Sequence, residues 1–230
     1  MAVVSRSMAD APPGRGAGVS RALLVAALLV AVPAAALDVS LDTYREARRA
    51  GAIGSVAGRV VAEPRTLRTP GRPFTGTTVA LLPRSDALLA RLEQLKESSR
   101  ESAGSFAGAA PAMQRAREAY ERELWDLGAP ELATRVVVDP EGAFRLDDVP
   151  AGAWMAIAWH SATVALSGET IHANQRGKYR TQPRMRGFQS VTIWIRTVTV
   201  ADGETATLDL TDRNAWFRGV IEKRLPDAGR

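Results

Sequence analysis

The 230-residue sequence contains no cysteine. That excludes a disulfide framework, a thiolate metal site or nucleophile, and a lipidated amino-terminal cysteine. Any folded part must be held by packing alone, and a composition that is 46% hydrophobic supplies a core of ordinary size. Histidine is scarce: His160 and His172 are the only two, and neither stands in an H-E-x-x-H or H-x-x-E spacing. No Ser-His-Asp order, G-x-S-x-G elbow or phosphate-cradling glycine loop is present. Zinc peptidase, serine hydrolase and nucleotide chemistry therefore lack their residues. No catalytic residue, metal or cofactor is expected.

Long apolar runs are missing too. The longest, Ala22 to Val32, falls short of the roughly 20 residues of a membrane-spanning helix. Arg15 and Arg21 precede it, Pro33 breaks it and Ala34-Ala35-Ala36 follows. This is the layout of a secretory signal. Residues 1–36 are expected as a signal peptide cleaved near Leu37, from a start at Met1 or Met8, leaving no stable transmembrane segment. An uncleaved anchor or a buried helix is the alternative. Taking Arg6, Arg15, Arg21 and Asp10 from 30 basic and 25 acidic residues leaves 27 and 24, a net charge of +3. So mild a balance argues against nucleic acid as a partner.

After Leu37 the pattern is mainly β. Leu37 to Ala50 reads as a short helix, with Thr43 and Glu46 at capping-box spacing and Gly51 at its carboxyl end. From Ile53 the period becomes two, with Val56, Gly58 and Val60 on one face. Pro64 to Pro73 is a connection, and Thr77 to Leu82 a second strand. Residues 85–128 interrupt with helical spacing in Leu88, Leu92 and Leu95, then in Met113, Ala116, Tyr120, Leu124 and Leu127. Small residues separate the two stripes from Ser98 to Ala110. Pro111 suits the first turn of the second helix and Gly128 its cap. An inserted helical hairpin is expected.

Strands resume at Thr134 to Val138 and, after the turn Asp139-Pro140-Glu141-Gly142, at Ala143 to Val149. Ala153 to His160 is apolar on both faces, with Trp154, Ala156 and Ala158 against Met155, Ile157 and Trp159. Such a strand needs cover on both sides, and the helical hairpin is the expected outer cover. Phe188 to Val200 forms another strand, and Asp202-Gly203 is read as a hairpin turn that pairs Thr205 to Leu210 back onto it. The expected organisation is a signal peptide (1–36), a short helix (37–51), a sandwich of about seven strands (52–212) and a tail (213–230) in which Trp216 and Phe217 dock.

The stretch Asp139-Pro140-Glu141-Gly142-Ala143-Phe144-Arg145-Leu146-Asp147-Asp148-Val149-Pro150-Ala151-Gly152-Ala153-Trp154 resembles the signature of carboxypeptidase regulatory-like domains. Its marks are an acidic, glycine-containing turn, an aromatic-x-Leu strand, a Pro-x-Gly turn and a large aromatic. Ser55 to Val60 and Val79 to Leu82 look like that family's first two strands, so the resemblance spans about Ile53 to Leu210, with the helical insertion as a departure. It implies a seven-stranded transthyretin-like β-sandwich used as an appendage, adhesion or assembly module of exported proteins. Physical chemistry agrees on the fold: Gly142 permits the tight turn, and Phe144, Val149 and Trp154 can seal a core. Fold does not fix function.

Asp139, Glu141, Asp147 and Asp148 offer oxygen ligands, but without calcium-loop spacing they read as a solvated turn with Asp139 capping its own backbone. His160 reads as a partly buried structural residue. The distinctive feature is the segment between Thr170 and Ala201, which holds Arg176, Lys178, Arg180, Arg184, Arg186 and Arg196 and no acid, interleaved with Tyr179, Phe188 and Trp194. Arg176, Lys178, Tyr179, Arg180, Arg184 and Arg186 are the candidate ligand-binding residues. The expected partner is an anionic polysaccharide, lipid head groups or an acidic protein surface; a solvated loop balanced by the hairpin is the other reading. The expected function is a non-catalytic binding or assembly module of the periplasm or cell surface. A carbohydrate-binding module is the first alternative, favoured by an exposed Trp194 or Trp216. An enzyme with an unrecognised site is the second, favoured by a concave cluster of perturbed carboxylates.

Overall fold

The computed structural model describes residues 37–64, 71–165 and 185–224, all within one unit, Leu37–Arg230. In chain order the elements are α1 (Leu41–Arg49), β1 (Ile53–Ala62), β2 (Arg72–Pro73), β3 (Thr78–Pro83), α2 (Asp86–Ser98), α3 (Ala103–Asp126), a one-turn 3-10 helix (Pro130–Leu132), β4 (Thr134–Val137), β5 (Ala143–Pro150), β6 (Gly152–Ala165), β7 (Met185–Val200), β8 (Thr205–Thr211) and β9 (Phe217–Arg224). The strands form two sheets. In the first, β1 is flanked on one edge by β2 and β5 and on the other by β8; the second runs β4-β3-β6-β7-β9. This is the expected mainly β sandwich with a helical insertion. The described residues hold nine strands rather than seven, the additions being the two-residue β2 and the carboxyl-terminal β9.

Alternation places the core. Val56 and Val60 of β1, Phe144 and Leu146 of β5, and Leu208 and Leu210 of β8 face Val79, Leu81, Trp154, Ala156, Ala158 and Trp194 of the second sheet. Trp154 is 1% exposed and Trp194 fully buried. Each indole N–H is satisfied, by the Pro150 carbonyl at 2.8 Å and the Thr211 carbonyl at 2.7 Å, as burial of a polar donor requires. On the other face of the second sheet Met155, Ile157, Val191, Ile193, Ile195 and Phe217 pack under Leu88 and Leu92 of α2 and Ala110, Met113, Tyr120 and Leu124 of α3. The two-faced strand is therefore covered by the hairpin, as its sequence demanded.

Local signals explain the helix ends. Ser85 and Ser102 cap α2 and α3, their hydroxyls accepting from the Leu88 and Ser105 amides at 3.0 Å. Gly128 ends α3 at φ +69°. Two expectations fail here. The Ser98–Ala110 stretch is largely helical, so Pro111 lies in the middle of α3 rather than in a first turn; the Ser102 cap and the buried Ala109 and Ala110 outweigh the lost proline N–H. No capping box forms at Thr43 and Glu46, because α1 begins at Leu41 behind Ser40.

The Asp202-Gly203 turn is not a hairpin. β8 leaves the second sheet and pairs parallel to β1, Ser55 against Thr205 through Val61 against Thr211. The two faces of β8 explain the choice. Thr205, Thr207 and Asp209 are exposed on the open outer face of the first sheet; in the second sheet that side lies under the helices, where uncompensated polar groups are costly. β1 accommodates the approach with glycine. A Cβ at Gly58 would sit 1.9 Å from the Leu208 carbonyl oxygen, and one at Gly54 2.5 Å from that of Glu204.

Candidate functional site

β3 pairs with β6 only as far as Thr78 against Trp159, whereas β6 and β7 stay paired to Ala165 against Gly187. β9, expected as a docked tail, runs antiparallel to β7 from Ile193–Phe217 to Met185–Arg224. Beyond Trp159 the sheet thus narrows to a three-stranded arm about 20 Å long at ~3.4 Å per residue. Ser161, Ala162, Thr163 and Val164 along it are exposed. Arg176, Lys178, Tyr179, Arg180 and Arg184 lie in the connection between β6 and β7, outside the described residues, as does His172. Arg186 stands on β7 beside the Ala165–Gly187 pair. Two other members of the acid-free stretch are structural. Arg196 is half-buried and donates to the carbonyls of Asn214 at 2.8 Å and Ile195 at 3.0 Å, and Trp194 is a core residue.

The remaining tryptophans differ in availability. Trp216 is half-buried; its Nε1 donates to Glu93 Oε2 at 3.2 Å and Lys96 Nζ lies 4.7 Å from its ring centroid. Trp125, at the end of α3, is 69% exposed. Sequence reading missed it, because the 3.6-residue stripe of α3 marks Leu124 as its inward neighbour and says nothing of the opposite face.

Between the helices and the second sheet, Leu92, Met113, Gln114, Arg117, Ile157, Trp159, Ile193, Ile195 and Trp216 line a pocket of about 10 Å³. That is about one water-sized probe sphere, far below the 300–1,000 Å³ usual for small-molecule sites. Beside it Glu121 lies between Arg117 Nη1 at 3.2 Å and Arg135 Nη2 at 2.7 Å. Arg117 Nε is buried without a hydrogen-bond partner, as is the Glu121 oxygen that faces Arg117, so that pair is held by charge rather than by hydrogen-bond geometry.

His160 closes the inner core toward the arm. Its Nδ1 lies 3.2 Å from Thr77 Oγ1, whose proton goes to the Phe74 carbonyl at 2.6 Å, so the imidazole donates. Phe74 stands edge-on to it at 5.0 Å. Burial, and then the charge of Arg72, push its pKa below the ordinary 6.5. Asp139 Oδ1 accepts from the Ala143 amide at 2.7 Å, and Asp147 pairs with Arg145 at 2.7 Å; the acidic turn binds its own backbone and neighbours. Asp148 takes φ +56° where β5 bulges against β1, a conformation aspartate tolerates. Among the described residues no group of three or more metal-ligating side chains comes together, and no helix is long and apolar enough to cross a membrane.

No family model and no curated protein matches the chain. Among solved structures it is similar to a protein from Pseudomonas aeruginosa described provisionally as carbohydrate binding, with 13% identity and a TM-score of 0.39 over 70% of this chain and 88% of that one. It is also similar to the pilus backbone of Streptococcus pneumoniae, with 11% identity and a TM-score of 0.20 over 46% and 30% of the two chains. The minor pilin of Streptococcus agalactiae gives 10% identity and a TM-score of 0.23 over 77% and 98%. Likeness of this degree is to β-rich binding and pilus proteins, and a β-sandwich is what the chain's own strands establish.

Proposed function

We propose that the chain is an exported, non-catalytic binding or assembly module of the carboxypeptidase regulatory-like kind, which holds an anionic partner through the basic segment between β6 and β7. The observation that carries this reading is the arm. A scaffold packed on both faces of one sheet projects a hairpin whose connection, from Thr170 onward, is basic and acid-free. Like charges concentrated on one connection repel unless an anion offsets them, and loops on rigid scaffolds are where binding residues concentrate.

The test is a binding screen against anionic glycans, lipopolysaccharide and acidic lipid vesicles at low and high salt. Affinity should fall steeply as salt rises, since exposed charges are screened beyond about 8 Å at physiological ionic strength. The variant R176Q/K178Q/R180Q should bind more weakly at unchanged thermal stability. Equal binding by variant and parent returns the segment to a solvated loop.

A sugar-binding module is the second reading, supported by the exposed indole of Trp125. Loss of oligosaccharide binding in Trp125→Ala, with R176Q/K178Q/R180Q unaffected, would favour it.

A further inference from the structure

We infer that the protein pairs with a second copy of itself in solution, and that β4, an edge strand of the second sheet, is the interface at which that copy adds its own β4 about a two-fold axis.

Two independent observations carry the inference, and the first is in the backbone. The Val138 amide donates to the Thr77 carbonyl at 2.8 Å. With the β3–β4 register, the alternation of an antiparallel ladder then turns the amides and carbonyls of Arg135 and Val137 away from β3. Among the described residues nothing hydrogen-bonds them on that side. The other edges are blunted. β5 exposes Arg145 and Asp147 and bulges at Asp148. Asn214 occupies the Asp209 carbonyl and the Thr211 amide of β8, at 2.9 and 2.8 Å. β9 holds Arg218 and the charged run Glu222-Lys223-Arg224. Charge, bulges and covering groups are what keep edge strands from pairing; β4 carries one cation, Arg135, and Glu121 already neutralises it.

The second observation is in the side chains. Trp125 and Val137, 69% and 61% exposed, are the two most exposed large apolar residues among those described, and both stand at this edge. Val137 shares the helix-side face of β4 with Arg135. Helix α3 crosses the sheet from Phe106 against Phe217 of β9, with centroids 6.3 Å apart, to Glu121 against Arg135 at 2.7 Å. Trp125 follows one turn later, about 6 Å farther along the same flank, which carries its indole past the edge.

A second copy answers both. With the axis at Val136, Arg135 of each copy stands opposite Val137 of the other, and each such pair exchanges two hydrogen bonds. Trp125 of each copy then overhangs Val137 of the other, and the stem of Arg135 lies beside the facing valine. Each Arg135 brings its own Glu121, so the axis joins two ion pairs rather than two bare cations. One patch thus covers itself, as an isologous interface requires; a foreign strand would have to reproduce the Arg-x-Val order of β4 to do the same.

Sedimentation velocity of the exported protein over a range of concentrations tests this, and the parent should show a monomer–dimer equilibrium. Val137→Lys should weaken the dimer about tenfold or more by burying an unpaired charge. Trp125→Ser should weaken it too, and Thr207→Lys on the β8 edge should not, all three melting close to the parent. The register has its own test. Facing Val136 residues form a non-hydrogen-bonded pair with Cα atoms about 4.5 Å apart, within reach of a disulfide. In a chain without other cysteines, Val136→Cys should cross-link into a covalent dimer on mild oxidation, and Thr207→Cys should not. A parent that stays monomeric at every concentration overturns the inference, as does undiminished association in Val137→Lys and Trp125→Ser. Cross-linking of Thr207→Cys with none of Val136→Cys moves the interface to β8 and overturns it as well. Should Val137→Lys fail to fold, Trp125→Ser and Val136→Cys decide.

Discussion

The ring of Tyr44 stands edge-on against the indole of Trp154, with centroids 5.0 Å apart and planes at 73°, and its hydroxyl donates to the Ala153 carbonyl. One residue of α1 thereby completes the end of the core that Trp154 fills. Asp38, just before α1, accepts from the Ala87 amide at 2.7 Å, which fastens the same segment to the first turn of α2. Tyr44→Ala should cost about 3 kcal/mol, toward the lower end for a large buried aromatic. Tyr44→Phe should cost about 1 kcal/mol or less, since the Ala153 carbonyl keeps the Arg84 amide at 3.1 Å. Urea titration of both variants measures the difference.

Trp154→Ala removes one of the two tryptophans buried between the sheets and should destabilise by about 3–5 kcal/mol. A loss under about 1 kcal/mol, the scale of surface substitutions, is incompatible with its burial here.

Glu121 and Arg135 form one ion pair with unequal environments. The Glu121 side chain is 12% exposed and that of Arg135 58%. Arg135→Ala should change stability by less than about 1 kcal/mol. Glu121→Ala leaves Arg117, whose Nε already lacks a partner, with only the 3.9 Å contact to the Glu118 carboxylate, and should cost about 2–3 kcal/mol. Restoration of stability in Arg117→Met/Glu121→Leu would identify the stranded charge as the cause.

Stability should depend on pH at both ends of the range. The pKa of His160 is lowered in the folded chain, so the unfolded chain binds more protons between the folded value and the ordinary 6.5. Stability is therefore full above about 6.5 and falls as pH drops through that window, and His160→Asn should flatten this limb. Burial raises the pKa of Tyr44 and Tyr120 above the ordinary 10. Their contribution is present below pH 10 and is lost as pH rises toward the folded values. Thermal melts from pH 5 to 11 test both limbs.

Intact-mass measurement of the exported protein should give a chain beginning near Leu37, as the Ala34-Ala35-Ala36 site directs. A mass that retains Met1 or Met8 contradicts it.

Much of the architecture is written locally. The alternation of Val56 and Val60, the two apolar faces of Ala153 to His160, the helical spacing of Leu88 and Tyr120 and the Asp139–Gly142 turn each depend on a few adjacent residues, and each reappears in the structure. The basic segment was equally visible as a compositional fact. What lay beyond local reach were choices made by pairing between distant residues. The alternation in Thr205 to Leu210 fits a return onto β7 as well as a crossing to β1; only the helices covering the second sheet, and the room left by Gly54 and Gly58, decide it. Pro111 and the small residues before it look like a loop until the sheet beneath gives Ala109 and Ala110 something to bury against. Sequence alone thus determined which faces are apolar, because side-chain period is a property of the backbone. Only tertiary structure decided which faces meet, because strand partners are chosen by burial across the whole chain.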